Sequence, residues 1–138
     1  MADTTLSIGQ VAARTGLSVH TLRLYERDGL LAGPVRRDSA GRRAYTEADV
    51  QWLSYCIKFR ASGMPLATIR RFADLARHGP DTQRERLELL LEHQQHVTAK
   101  IAELTECLDV ISDKVRTYER HVAHGAAVDL WRLPAPRT

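Results

Sequence analysis

Residues 8–31, IGQVAARTGLSVHTLRLYERDGLL, read as two short helices separated by a tight turn. Ser7 followed three residues later by Gln10 fits a capping box, and Ile8, Val11 and Ala12 then recur at helical spacing over about two turns. Gly16 interrupts that stripe, and Ser18 is placed to cap a second helix through Leu22, Tyr25 and Arg27. Gly29 stops it, because a left-handed residue is least strained when it is glycine. The Thr15–Gly16–Leu17 link makes the pair a helix-turn-helix candidate.

On the C-terminal side of this unit the helical period disappears between Leu30 and Ala44. Gly33, Pro34, Asp38, Ser39 and Gly41 supply turn residues there among Arg36, Arg37, Arg42 and Arg43, which predicts a basic hairpin or wing. Thr46 with Asp49 opens a third helix carrying Val50, Trp52, Leu53, Cys56, Ile57 and Phe59, and Gly63 ends it. Pro65 suits the first turn of a fourth helix, Leu66 to about Ala76, and Gly79–Pro80 closes the region.

From Asp81 the pattern changes. Leu87, Leu90, Gln94, Val97, Ile101, Leu104, Leu108, Ile111, Val115, Tyr118 and Val122 follow one another at alternating steps of three and four residues, a heptad repeat in which Gln94 is the only polar member. A helix of roughly 60 Å cannot bury such a stripe against a head of 80 residues, so it needs a partner helix, and the economical partner is a second copy. The expected organisation is mainly α: a winged helix-turn-helix head of four helices and a small β wing over 1–80, a coiled-coil dimerisation helix over 81–122 and a short tail over 123–138. In the tail Leu130, Trp131 and Leu133 are placed to dock on the body.

The chain has 138 residues, 43% of them apolar, which suits one ordinary domain and excludes a large multidomain enzyme. Its net charge of +3 is unevenly spread: residues 1–80 hold 12 basic and 7 acidic groups, residues 81–138 hold 8 and 10. A basic front on a mildly acidic back suggests a polyanion-binding module carried on something that is not one. Two cysteines far apart make neither a disulfide framework nor a structural zinc site. There is no apolar run of membrane-span length and MADTTLSIGQ has no signal-peptide pattern, so a cytoplasmic protein with reduced thiols is expected. Without a Gly-rich phosphate loop, a nucleophile elbow or an H-E-x-x-H motif, neither catalysis nor a cofactor is expected.

IGQVAARTGLSVHTLRLYERDGLL, followed by GRRAYTEADV and a long heptad helix, resembles the MerR family of bacterial transcriptional regulators, from about Leu6 to about Tyr118. The most specific stretch is TLRLYERDGLL, which is similar to the family's recognition-helix signature. The resemblance implies a homodimer with antiparallel long helices. Such a dimer binds and distorts a pseudo-palindromic double-stranded promoter, and affects RNA polymerase indirectly through it. A recognition helix enters the major groove with its N-terminal turn nearest the bases, which nominates Ser18, His20, Thr21 and Arg23. Tyr25 is similar to the family's backbone-touching tyrosine, although its ring could instead pack in the head. Leu24 stands where a second tyrosine is commonest, so a phosphate contact is lost there. In the wing Arg43 and Tyr45 match the phosphate-gripping positions, Arg42 stands where an aromatic is often found, and Arg36 and Arg37 add either contact or field. The competing reading from the heptads alone is a coiled-coil adaptor with a basic head.

The signal is less legible. Metal-sensing members carry paired cysteines near the far end of the long helix, and residues 108–138 have none. Drug-binding members add a large effector domain, which sixteen tail residues cannot form. The short head, GMPLATIRRF and the uninterrupted helix look most like the aldehyde- and thiol-stress subgroup, whose signal is read by a cysteine in the third helix. Cys56 lies there but two residues from the expected position, which Lys58 occupies. It reads either as a thiol tuned by Lys58 or Arg60 or as a core residue, the second preferred because an unperturbed cysteine is mostly thiol at neutral pH. Cys107, at a g position beside the seam, is the other candidate sensor. His93 and His96, and His121 and His124, have chelating spacing but read as solvated helix surface, so no metal is expected.

Overall fold

The computed structural model describes residues 5–125. Leu130, Trp131 and Leu133 lie outside the described residues.

Helix α1 (Ile8–Thr15) begins at the expected capping box: Ser7 Oγ accepts from the Gln10 amide at 3.1 Å and the Gln10 side chain accepts from the Ser7 amide at 2.8 Å. Gly16 ends it at φ +80°, with its amide donating to Ala12 O at 2.9 Å. Helix α2 (Val19–Arg27) starts at Ser18, whose Oγ accepts from the Thr21 amide at 3.0 Å. It finishes in a Schellman motif: Gly29, at φ +72°, donates to Glu26 O, and Leu30 donates to Tyr25 O at 2.9 Å.

The wing is two short antiparallel strands, β1 (Arg36–Arg37) and β2 (Arg43–Ala44), in the register Arg36 to Ala44 and Arg37 to Arg43. Tyr45 prolongs the inner strand by exchanging hydrogen bonds with Leu6 at 2.7 and 2.8 Å, which ties the wing to the segment entering α1. Helix α3 (Glu47–Ala61) opens with the Thr46–Asp49 capping box, and α4 (Leu66–Arg77) follows Pro65, which occupies the cap and not the first turn. Pro80–Thr82 form one turn of tighter helix before α5 (Gln83–Ala123), a continuous helix of 41 residues. The long helix therefore starts two residues later than the heptad reading places it, because the Thr82 hydroxyl turns back to donate to Leu75 O at 2.6 Å and Gly79 O at 2.8 Å.

The chain divides into two compact units, one ending at Val97 and one beginning at Thr98. The core of the first unit has two linked clusters. Val11, Leu22, Leu31, Tyr45, Val50 and Leu53 join α1, α2, the wing and α3; Leu30, Cys56, Met64 and Ile69 join α3 and α4. Tyr25 and Trp52 pack against both clusters. Trp52 stacks on Phe72, ring centroids 5.5 Å apart, and Phe59 meets Trp52 edge-on. Where α5 passes this unit, His93 contacts the Phe59 ring edge-on and its Nε2 lies 2.8 Å from Ser62 Oγ.

Four successive carbonyls behind α2 each accept a hydrogen bond from a side chain of α3 or α4. Arg70 Nε donates to Asp28 O at 2.8 Å, Arg77 Nη1 donates to Gly29 O at 3.2 Å and also to Leu31 O, and Trp52 Nε1 donates to Leu30 O at 2.8 Å. The bonds to Leu30 O and Leu31 O are part-buried, and either acceptor left bare would cost about 1–3 kcal/mol, so this end of the loop is fixed against the two helices; those to Asp28 O and Gly29 O are exposed.

The second unit contains the rest of α5. Ile101, Leu104, Leu108, Ile111 and Val115 are between 49% and 60% exposed, an apolar stripe on a single helix that no other described residues cover. None of the described helices is both long and apolar enough to cross a membrane.

Cys56 is fully buried, and burial pushes its thiol up to about 12. It is a small apolar member of the α3–α4 core in this conformation, not a ready nucleophile; Cys107 is exposed. Iodoacetamide at pH 8 followed by peptide mass mapping is expected to alkylate Cys107 in the native protein and to alkylate Cys56 roughly a hundredfold more slowly or not at all until denaturant is added. Comparable native rates at the two thiols would contradict the buried placement.

Candidate nucleic-acid interface

Helix α2 puts His20, Arg23 and Arg27 on its exposed side, a spacing of three and then four residues that aligns them along one face. An open groove of about 500 Å³ runs beside that face, lined by His20, Arg23, Leu24, Glu26, Arg27 and, from the wing, Arg43. Three arginines against one glutamate give it positive character, suited to a phosphate backbone. Ser18 and Thr21 stand at the N-terminal turn, where they also serve the helix: Ser18 Oγ caps the Thr21 amide and donates to Thr21 Oγ1 at 2.9 Å.

In the wing, Asp38 folds the tip. Its Oδ1 accepts from the Ala40 and Arg42 amides, both at 2.9 Å, and those backbone donors, the Arg42 amide first, hold its carboxyl below the usual range. The tip is therefore a preformed loop in which Arg36, Arg37 and Arg42 are exposed. Arg37 donates to Gly41 O at 3.0 Å and Arg42 Nε lies 3.4 Å from Asp38 Oδ2. Arg37 and Arg43 stand directly opposite each other across the ladder, a like-charge pair that is unfavourable in an isolated hairpin. Arg43 answers by turning its Nε to the carboxylate of Glu26 on α2, a pair in which both side chains are about three-quarters covered.

The two tyrosines are set more deeply than the arginines. Tyr25 is half-buried between the two core clusters, and burial pushes its phenol up, assisted by Cys56 and opposed by Arg60. Tyr45 is 1% exposed, and its buried hydroxyl has no hydrogen-bond partner among the described residues. Burial raises that phenol too; Glu26 and Asp49 add to the rise, while Arg43 and Arg23 oppose it.

The structure thus gathers His20, Arg23 and Arg43 around one groove with Tyr45 in electrostatic reach, while Arg36, Arg37 and Arg42 form a separate basic tip. Besides Leu24, two charged groove residues are absent from the set expected from sequence. Arg27 was recoverable, since it follows Arg23 by four residues on the same helix face; Glu26 was not, because its partner lies 17 residues away across a loop. Neither cysteine is part of this groove. Among the described residues no cluster of three or more His, Cys, Asp or Glu is arranged to hold a metal ion; His93 instead meets Ser62, and His121 Nδ1 lies 3.2 Å from Thr117 O.

Comparison with known proteins agrees with this geometry. Residues 6–75 match the MerR HTH family of regulatory proteins, and residues 50–113 match the MerR DNA-binding family. An HTH-type transcriptional regulator of Haemophilus influenzae is 39% identical over 132 residues, spanning 94% of this chain and 97% of that protein. The crystal structure of HiNmlR, described as a MerR family regulator lacking the sensor domain and bound to promoter DNA, superposes with a TM-score of 0.78 at 38% identity, covering 88% of this chain and 96% of that one. A MerR family regulator from Listeria monocytogenes superposes with a TM-score of 0.81 at 28% identity, covering 87% and 90%. With a matched family domain over the helix-turn-helix, wing and α3–α4 and a relative aligned over nearly its whole length, the chain belongs to the MerR family and is a DNA-binding transcriptional regulator.

Proposed function

We propose that two copies of this chain pair through the apolar stripe of α5, as an antiparallel coiled coil, and bring two heads to a pseudo-palindromic promoter that they bend and untwist. RNA polymerase then responds to the altered promoter and not to a direct contact. The arginine-lined groove between α2 and the wing is the observation that carries the DNA part of this reading. Ser18, His20, Thr21 and Arg23 face the bases. Arg43 grips phosphate, and Arg36, Arg37 and Arg42 supply the surrounding field; Tyr45, expected to touch phosphate, is a core residue whose buried hydroxyl an outside anion does not reach, and with half-buried Tyr25 it braces the wing and α2 from within. The exposed heptad residues support the pairing: a stripe of leucine, isoleucine and valine at a and d positions is stable in water only against another such surface. The DNA-bound neighbour supports promoter DNA as the partner.

Deforming a site of 20–30 base pairs takes several kcal/mol, so a signal that slightly changes the separation or tilt of the heads suffices to change transcription. The signal is a small molecule or a thiol-reactive compound. Of the two thiols, Cys107 is reachable directly, whereas a reagent reaches Cys56 only when the α3–α4 core opens.

The pairing is tested by sedimentation. The full chain is expected at twice its monomer mass, and Leu108→Lys, which puts an ammonium group in the middle of the stripe, at monomer mass with DNA affinity lost; a monomeric parent protein refutes the pairing.

For DNA, the probe is a duplex that the protein itself selects from a random-sequence pool. Affinity is expected to fall by about 10³–10⁵ between 50 and 200 mM salt, as for a protein neutralising 6–10 phosphates. Arg43→Ala should weaken binding roughly tenfold to a hundredfold and reduce the salt slope by about 2 per dimer, without changing the selected sequence. Arg23→Ala should weaken binding and relax sequence preference as well. Fluorescence anisotropy across a salt series checks all three, and a flat salt response refutes the phosphate contacts.

A further inference from the structure

We propose that Glu26 is a positioning residue for DNA: it holds the wing arginine Arg43 against the recognition helix, so that helix and wing meet the duplex as one preformed surface. The proposal rests on the reading of Arg43 as a phosphate contact. A carboxylate in the wall of an otherwise cationic groove is unfavourable for a polyanion and needs a compensating reason.

The geometry supplies that reason. Arg43 lies opposite Arg37 in the wing ladder, and repulsion would drive the longer-range guanidinium out into solvent with its full rotamer freedom. Glu26 captures it through Nε, leaving the outer edge of the guanidinium fork as the side that meets an incoming oxyanion. Both partners are about three-quarters covered, so the pair is shielded from solvent screening more than the Arg42–Asp38 pair of the wing. Arg23 stands one turn before Glu26 on the same helix, and the orphan hydroxyl of Tyr45 is buried within reach of all three charges. An arginine already ordered in this way loses less freedom on binding than a mobile one.

Simple electrostatics and positioning predict opposite signs, which makes the test decisive. Using the full chain and its self-selected duplex, affinities are compared for the parent, Glu26→Ala, Arg43→Ala and the double variant, with urea unfolding of each. Glu26→Ala is expected to weaken binding roughly threefold to tenfold even though it removes a negative charge from each head. In the Arg43→Ala background the same change should leave affinity unchanged or raise it. Glu26→Gln, which keeps an acceptor for Nε and the side-chain shape, should lose less than Glu26→Ala and carries the comparison if the alanine variant does not fold.

Equal or tighter binding by Glu26→Ala and Glu26→Gln in the parent background overturns the proposal: Glu26 is then a competitor of phosphate for Arg43. An equal loss in both backgrounds also overturns it, since Glu26 then acts through the fold and not through Arg43. If Arg43→Ala alone has no effect on affinity or salt slope, the phosphate role of Arg43 fails, and the positioning role falls with it.

Discussion

The row of carbonyls from Asp28 to Leu31 is the constraint on which the head depends. A recognition helix is useful only if its axis is fixed, and α2 is a helix of nine residues, too short to be stable alone. Its C-terminal exit is fixed by four consecutive backbone acceptors bonded to Arg70, Arg77 and Trp52, side chains of two other helices. Each such bond contributes about 1 kcal/mol net, modest singly, but loss of a donor to the part-buried Leu30 or Leu31 carbonyl leaves an acceptor bare at a larger penalty. The stacked Trp52–Phe72 pair and the buried Leu30 seal the same junction with apolar area.

The front of the head follows a different rule. There the cations outnumber the anions: Arg37 faces Arg43 across the ladder, Arg43 is held by Glu26, Arg27 by Asp28, and Arg23 projects from α2. A like-charge cross-strand pair lowers the stability of the wing, and the net positive surface that it helps to form attracts a polyanion. The back of α2 is over-satisfied and the front is under-satisfied, and that asymmetry gives the helix its direction.

Much of this was legible in the sequence where the signal is local. Caps at Ser7, Ser18 and Thr46 and the break at Gly16 fix the helix boundaries within a residue or two, because each is set by atoms three or four residues apart. The heptads were equally plain, since a period is a property of the chain alone. Pairings across loops were not legible: nothing in the string tells Arg43 to seek Glu26 or Arg77 to seek Leu31, because many arginines and carbonyls are available and only the packed core selects among them. Tyr45 marks the same limit. Its motif position points to phosphate, yet its near-complete burial follows from the bridge to Leu6 and the packing of Val11 and Leu53, which no local pattern contains.

The two halves also answer differently to their surroundings. Groove, wing tip and their expected contacts are electrostatic, so their strength falls steeply as salt is raised. The α5 stripe is aliphatic, and the pairing proposed for it depends on apolar area, which salt leaves intact or strengthens. On the proposed pairing, release from DNA at high salt would yield intact dimers and not free chains. Gln94 is the one polar residue among the heptad positions, where leucine or valine would pack more tightly. A single polar a position lowers the strength of a coiled coil while excluding competing registers, and in the proposed dimer register would decide the separation of the two heads. For such a dimer on two half-sites a fixed spacing would matter more than the last increment of stability.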